Sequence, residues 1–129
     1  MYGDQTARAA VGMWKDVLTQ SVRNDGPDLS VRQWAILLTV YLTPGPHTVR
    51  GLSDQLRVPK PAISRALDTL SILKLVRRGR DDGDRRIVLV QRTPEGAEYV
   101  DAFSSLIAEV SGVDDEYGPD DDLPVSAYG

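Results

Sequence analysis

Residues 48–92, TVRGLSDQLRVPKPAISRALDTLSILKLVRRGRDDGDRRIVLVQR, decide the fold. Thr48 is a side-chain acceptor of the kind that opens helices, and the apolar spacing after it predicts a short helix over Val49–Leu56. Arg57-Val58-Pro59-Lys60 then makes a tight connection, since the residue before a proline is pushed out of helical geometry. Pro61 suits the first turn of a second helix, where its missing N–H is not needed. That helix runs to about Leu73, with Ile63, Ala66, Leu67, Leu70 and Leu73 spaced to face a core. Its other face holds Lys60, Ala62, Ser64, Arg65 and Thr69. Two extended runs follow, Val76–Arg80 and Arg86–Val90, joined by the turn residues Asp81-Asp82-Gly83-Asp84. Short helix, turn, helix, hairpin is the order of a helix-turn-helix with a wing. The predicted fold class is therefore mainly α with a two-stranded β-hairpin wing, an α+β winged helix-turn-helix.

Helices flank this segment. Ser30 is a plausible cap for Val31–Leu42, whose Trp34, Ile36, Leu37, Leu38, Val40 and Tyr41 make it apolar on most sides, and Thr43-Pro44-Gly45-Pro46 breaks it off. Asp4 to Asn24 carries Ala7, Ala10, Val11, Trp14, Val17, Leu18 and Val22 on one helical face, stopped by Asn24-Asp25-Gly26-Pro27. Thr93-Pro94-Glu95 opens a last helix with an apolar stripe of Ala97, Val100, Phe103, Leu106, Ile107 and Val110. From Gly112 the chain turns to Gly, Pro and acid, a composition too poor in apolar residues to pack, so 112–129 is expected to be a disordered tail. One domain over 1–111 follows, with a DNA-binding lobe at 30–93 between dimerisation helices at 4–24 and 94–111.

The formal charge of −4 argues against a polyanionic partner. It is unevenly spread. His47 to Arg92 holds eleven basic residues against five acidic ones, a surplus of six that leaves −10 for the rest of the chain. Such a separation fits a protein that meets a polyanion on one face. The absence of cysteine rules out disulfides and thiolate metal cages, and no run approaches the ~18 apolar residues of a membrane span, so a soluble cytoplasmic protein is expected. No catalytic constellation is visible: the single histidine, His47, has no paired Ser and Asp at a recognisable spacing, and no Gly-rich phosphate loop exists. No enzyme, cofactor or metal is predicted.

In a helix-turn-helix the second helix enters the major groove, so Lys60, Pro61, Ala62, Ser64, Arg65 and Thr69 become candidate DNA-binding residues, joined by Arg78, Asp84, Arg85 and Arg86 of the hairpin. Guanidinium groups on a wing suit the narrow minor groove. Val11, Trp14, Leu18, Val100, Phe103, Ile107 and Val110 are candidates for a homodimer interface, because the two outer helices have stripes wide enough to need a partner. Trp14, Trp34 and Tyr41 are candidate walls of a pocket for a small aromatic effector, though at helical spacing such residues also serve as plain core.

Leu75-Val76-Arg77-Arg78, the wing Asp84-Arg85-Arg86 and Thr93-Pro94-Glu95-Gly96 resemble the MarR family of winged-helix transcription regulators. So do Ser30-Val31-Arg32-Gln33-Trp34-Ala35-Ile36-Leu37, Ser53-Asp54-Gln55-Leu56 and Ile63-Ser64-Arg65-Ala66-Leu67-Asp68-Thr69-Leu70. The resemblance covers about Leu29 to Val100 and implies a homodimeric, usually repressive regulator on a palindromic operator, released by a small and often aromatic ligand. It also implies that Arg86 enters the minor groove while Asp84 orients the wing by bonding a neighbouring Arg. Three departures stand out. Lys74 occupies a position where the family usually has Gly; Arg92 replaces the usual Leu, to snorkel outward or pair with an acid; and only one helix follows the wing. A different use of the same fold, a protein-interaction module whose basic wing docks on an acidic protein partner, is the alternative.

Overall fold

The structure is a computed structural model, and it describes residues 5–112; the acidic stretch beyond lies outside them. The elements run α1 (Gln5–Arg23), α2 (Val31–Leu42), β1 (His47–Thr48), α3 (Val49–Leu56), α4 (Lys60–Ile72), β2 (Val76–Arg80), β3 (Val88–Arg92) and α5 (Pro94–Ser111). The chain divides into two compact units, one over Leu29–Asp101 and the other holding α1 with the part of α5 from Ala102 onward.

The helix starts follow from the sequence. Ser30 Oγ accepts the Gln33 N–H while the Gln33 side chain accepts the Ser30 N–H, a complete capping box. Thr48 Oγ1 accepts from Gly51 N–H, and Thr93 Oγ1 from Gly96 N–H. The helix ends are less ordinary. After α4 the Leu75 N–H bonds the Leu70 carbonyl and the Lys74 N–H bonds that of Ser71, with Lys74 left-handed at φ 63°. This is a full Schellman closure with lysine where glycine is the usual occupant. Arg57 closes α3, also left-handed, at φ 55°, with both its own N–H and that of Val58 on the Ser53 carbonyl.

Ile36, Leu37 and Val40 of α2, Leu52 of α3, Ile63, Leu67 and Leu70 of α4, and Val76 and Val90 of the sheet make the core of the 29–101 unit. Tyr41 belongs to that core, 3% exposed. Its hydroxyl donates to the Leu75 carbonyl at 2.7 Å and accepts the Thr93 N–H at 2.9 Å, tying the end of α2 to the ends of α4 and the sheet. Gly96 packs so closely on this hydroxyl that a Cβ there would overlap both Tyr41 and the Leu75 carbonyl.

Two expectations about the sheet change. The hairpin has a third strand, in the order β1-β3-β2, because His47 and Thr48 pair antiparallel with Val90 and Leu89; two residues are too few to leave a periodic signal. The second wing strand begins at Val88 rather than Arg86, in register Val76↔Arg92 through Arg80↔Val88. The wing loop is longer because Asp81 and Asp84 use their side chains to hold it: Asp81 Oδ2 accepts the Gly83 and Asp84 N–H groups, and Asp81 N–H meets the Ile87 carbonyl.

Arg92 does not snorkel outward. It is 4% exposed, with Nε donating to the Val40 carbonyl at 2.7 Å and Nη2 to the Thr43 carbonyl at 2.8 Å. Val100, expected at a dimer interface, is 5% exposed within the core of the same unit.

In the other unit Val17 is fully buried and Trp14 meets Phe103 edge to face, with ring centroids 6.4 Å apart. Val11, Trp14, Leu18 and Val22 leave an exposed apolar stripe along one side of α1, from 43% to 68% exposed.

Candidate nucleic-acid interface

The outer face of α4 is set by the burial of its inner one. With Ile63, Leu67 and Leu70 in the core, Pro61, Arg65, Asp68, Thr69 and Ile72 are left exposed, with Ser64 half-buried beside them. Ala62, a candidate for DNA contact, is 8% exposed and helps floor a groove instead. Pro59 and Pro61 bracket Lys60 at the start of the helix. The first turn thus holds no acid and one exposed lysine, so the positive end of the helix dipole and a cation lie together.

A groove lies on each flank of α4. On the wing side Thr48, Arg50, Lys60, Asp84, Arg86 and Ile87 enclose about 590 Å³. On the side of α2, Ser30, Arg32, Leu56, Val58, Arg65 and Thr69 are among the residues lining about 740 Å³. At ~3.6 residues per turn, Lys60 and the Ala62–Arg65–Thr69 row fall on nearly opposite flanks of the helix. The helix therefore stands between two cationic grooves. Arg50 and Arg32 are additions that the sequence reading passed over. Arg50 had a signal, a basic residue in the first turn of the first helix of a helix-turn-helix; Arg32 had none beyond its place next to a capping box.

The wing carries its own order. Arg86 Nε donates to Asp84 Oδ1 and Nη2 to Oδ2, each at 3.0 Å, while the Arg86 backbone N–H also reaches Oδ1 at 3.0 Å. Two parallel N–H···O bonds to a carboxylate fix the guanidinium plane. They hold the Asp84 carboxyl below the ordinary carboxylate range, chiefly through the Arg86 side chain, and raise Arg86. Arg85 is also exposed, with Asp82 3.8 Å away. Arg78 pairs with Asp68 of α4 at 2.7 Å, joining strand β2 to the exposed helix face. Lys60, Arg65, Arg85 and Arg86 thus all stand on the surface of one unit, while Arg78 is engaged in linking its parts.

The three aromatic candidates for an effector pocket go different ways. Tyr41 is core, with its hydroxyl used twice, and desolvation by burial raises its pKa. Trp34 is half-buried and stacked on Tyr99 at 5.5 Å. Trp14 belongs to the other unit. His47 is half-buried, its Nε2 3.0 Å from the Thr43 carbonyl.

The family model of the MarR family matches residues 28–87, from just before α2 through the wing loop. That stretch of the chain is similar to the MarR family. MepR, a transcription regulator of the Staphylococcus aureus multidrug efflux pump MepA, is 21% identical over 87% of this chain and 80% of that chain, with a TM-score of 0.69. MepR in its complex with DNA gives 24% identity, 84% and 86% coverage and a TM-score of 0.69. The transcriptional regulator BldR of Sulfolobus solfataricus is 28% identical over 87% of this chain and 81% of its own, with a TM-score of 0.58. No curated protein sequence matches the chain. MepR and BldR are both transcription regulators. Among the described residues no cluster of His, Cys, Asp or Glu could hold a metal ion, and no helix is long and apolar enough to cross a membrane.

Proposed function

We propose that this chain is a regulator of MarR type, a sequence-specific double-stranded DNA-binding repressor that works as a homodimer. The observation that carries the reading is the exposed Pro61–Arg65–Thr69 face of α4 standing between two grooves lined by Arg50, Lys60 and Arg86 on one side and Arg32 and Arg65 on the other. A helix in a major groove has a phosphate backbone along each flank, and cations on both flanks suit that placement. Arg65 and Ser64 read base edges, Lys60 neutralises phosphate, and Arg86, clamped by Asp84, enters the minor groove with Arg85 beside it.

The exposed Val11–Trp14–Leu18–Val22 stripe supports the dimer, since contiguous apolar surface marks a protein interface. Repression follows from occupancy of a promoter by such a dimer. Relief by a small aromatic effector belongs to the same reading, with Trp34 the one candidate wall that is neither core nor in the other unit.

Retardation of genomic fragments at low and moderate salt tests the proposal. Arg65→Ala should cost ~1–3 kcal/mol on the preferred site and relax preference at one base position. Lys60→Ala should weaken every site alike and lower the salt slope by about one. Retention of a protein partner with no fragment retarded at low salt would move the assignment to an interaction module on an acidic protein.

A further inference from the structure

The most unusual group in the 29–101 unit is a buried cation at the base of the hairpin. The Arg92 guanidinium, 4% exposed, lies 5.9 Å from the centre of the Tyr41 ring and spends Nε and Nη2 on the carbonyls of Val40 and Thr43. Those carbonyls end α2, a helix with no basic residue in its last turn. The C-terminal end of a helix carries partial negative charge and unsatisfied acceptors, so Arg92 supplies from the sheet the cation that α2 lacks. A desolvated charge held by two fixed acceptors and a ring face tolerates little displacement.

Arg92 is the last residue of β3 and pairs with Val76 at the base of the hairpin. The same strand leads, at its other end, out of the loop that presents Arg86. Five extended residues span about 14 Å, so a tilt of about 10° at the base moves the loop end by about 2 Å. Hydrogen bonds to a groove tolerate a few tenths of an ångström. We infer that Arg92 is a positioning residue: by locking the base of β3 onto the C-terminus of α2 it sets where Arg86 stands relative to the helix-turn-helix. This rests on the reading that Arg86 meets DNA, and it makes the Arg for Leu departure a functional adaptation of the wing.

The test uses the full chain, which has no cysteine of its own and so accepts labels cleanly. Spin labels at Asp54→Cys on α3 and Asp82→Cys on the wing, diluted with unlabelled protein, report the helix-to-wing distance without DNA. Arg92→Leu should shift or broaden that distance by about 2 Å, and Arg92→Lys should recover most of the original. On the DNA site the parent selects, Arg92→Leu should weaken binding by about tenfold, while in an Arg86→Ala background it should change binding less than twofold. An unchanged label distance, or the same loss with and without Arg86, overturns the positioning role. Arg92→Met, unbranched and of similar length, takes the place of the leucine variant if that one does not fold. An Arg86→Ala protein that binds like the parent overturns the wing reading instead, and the label distance alone then decides the role of Arg92.

Discussion

Tyr41, Gly96 and Arg92 show how much of this lobe is settled by single atoms. The Tyr41 hydroxyl has one donor and two acceptor positions; it meets the Leu75 carbonyl and the Thr93 N–H, the two backbone groups left over where α4 ends and α5 begins. Gly96 is required there because any Cβ would take the hydroxyl's place. Gly96→Ala should destabilise the fold by about 3 kcal/mol, from overpacking together with the loss of a buried hydrogen bond, read as a lowered denaturant midpoint at unchanged slope. A loss under about 0.5 kcal/mol would show that the joint yields. At Asp84 the sign of the pH dependence is fixed by its partner. Its folded pKa is depressed by Arg86, so the clamp is complete above the ordinary carboxylate range and is lost as pH falls through the lower, folded value. The Arg86 Nε–H resonance should stay constant from neutral pH down through the usual aspartate range and move only in stronger acid. A midpoint at or above that range would mean the clamp does not persist in solution.

At the level of elements, the sequence announced most of what the structure holds. Caps at Ser30, Thr48 and Thr93 located three helix starts, and Val31–Leu42, Val49–Leu56 and Val76–Arg80 have the boundaries that periodicity implies. What it missed has physical causes. The start of β3 was hidden because a loop held by the Asp81 and Asp84 side chains looks, residue by residue, like a tight turn followed at once by a strand. Arg92 reads as an outward charge until the carbonyl ends of α2 are known to face it. Tyr41 and Trp34 are alike in sequence pattern, yet the first is buried within the core and the second only half-buried against it. The end of α4 offers an element-scale test. Lys74 holds a left-handed backbone at a position where a residue with a Cβ pays about 1 kcal/mol or more. Lys74→Gly should therefore raise thermal stability by about 1 kcal/mol, less the added freedom of the unfolded chain, without changing DNA affinity. Destabilisation would show that the lysine side chain contributes more than its strain costs.

On the scale of the whole molecule, function is a matter of where charge and apolar surface are left over. A chain of net −4 concentrates a surplus of six positive charges between His47 and Arg92, and folding turns that surplus into cation-lined grooves on both flanks of α4. Composition alone points away from nucleic acid; position along the chain reverses the conclusion. The apolar remainder falls on α1, where Val11, Trp14, Leu18 and Val22 stay exposed in a single chain. The stripe was legible in the sequence for Val11, Trp14 and Leu18, whereas Val100 was misread because its helix begins inside the lobe and its first turns serve that core. A two-fold dimer carrying two α4 helices would impose two-fold symmetry on the DNA it chooses. Selection of binding sites by this chain from a random pool of duplexes measures reading and symmetry together. The account predicts enrichment of an inverted repeat whose half-sites lie about one helical turn apart, lost on replacing Arg65; recovery of no enriched sequence at low salt would contradict it.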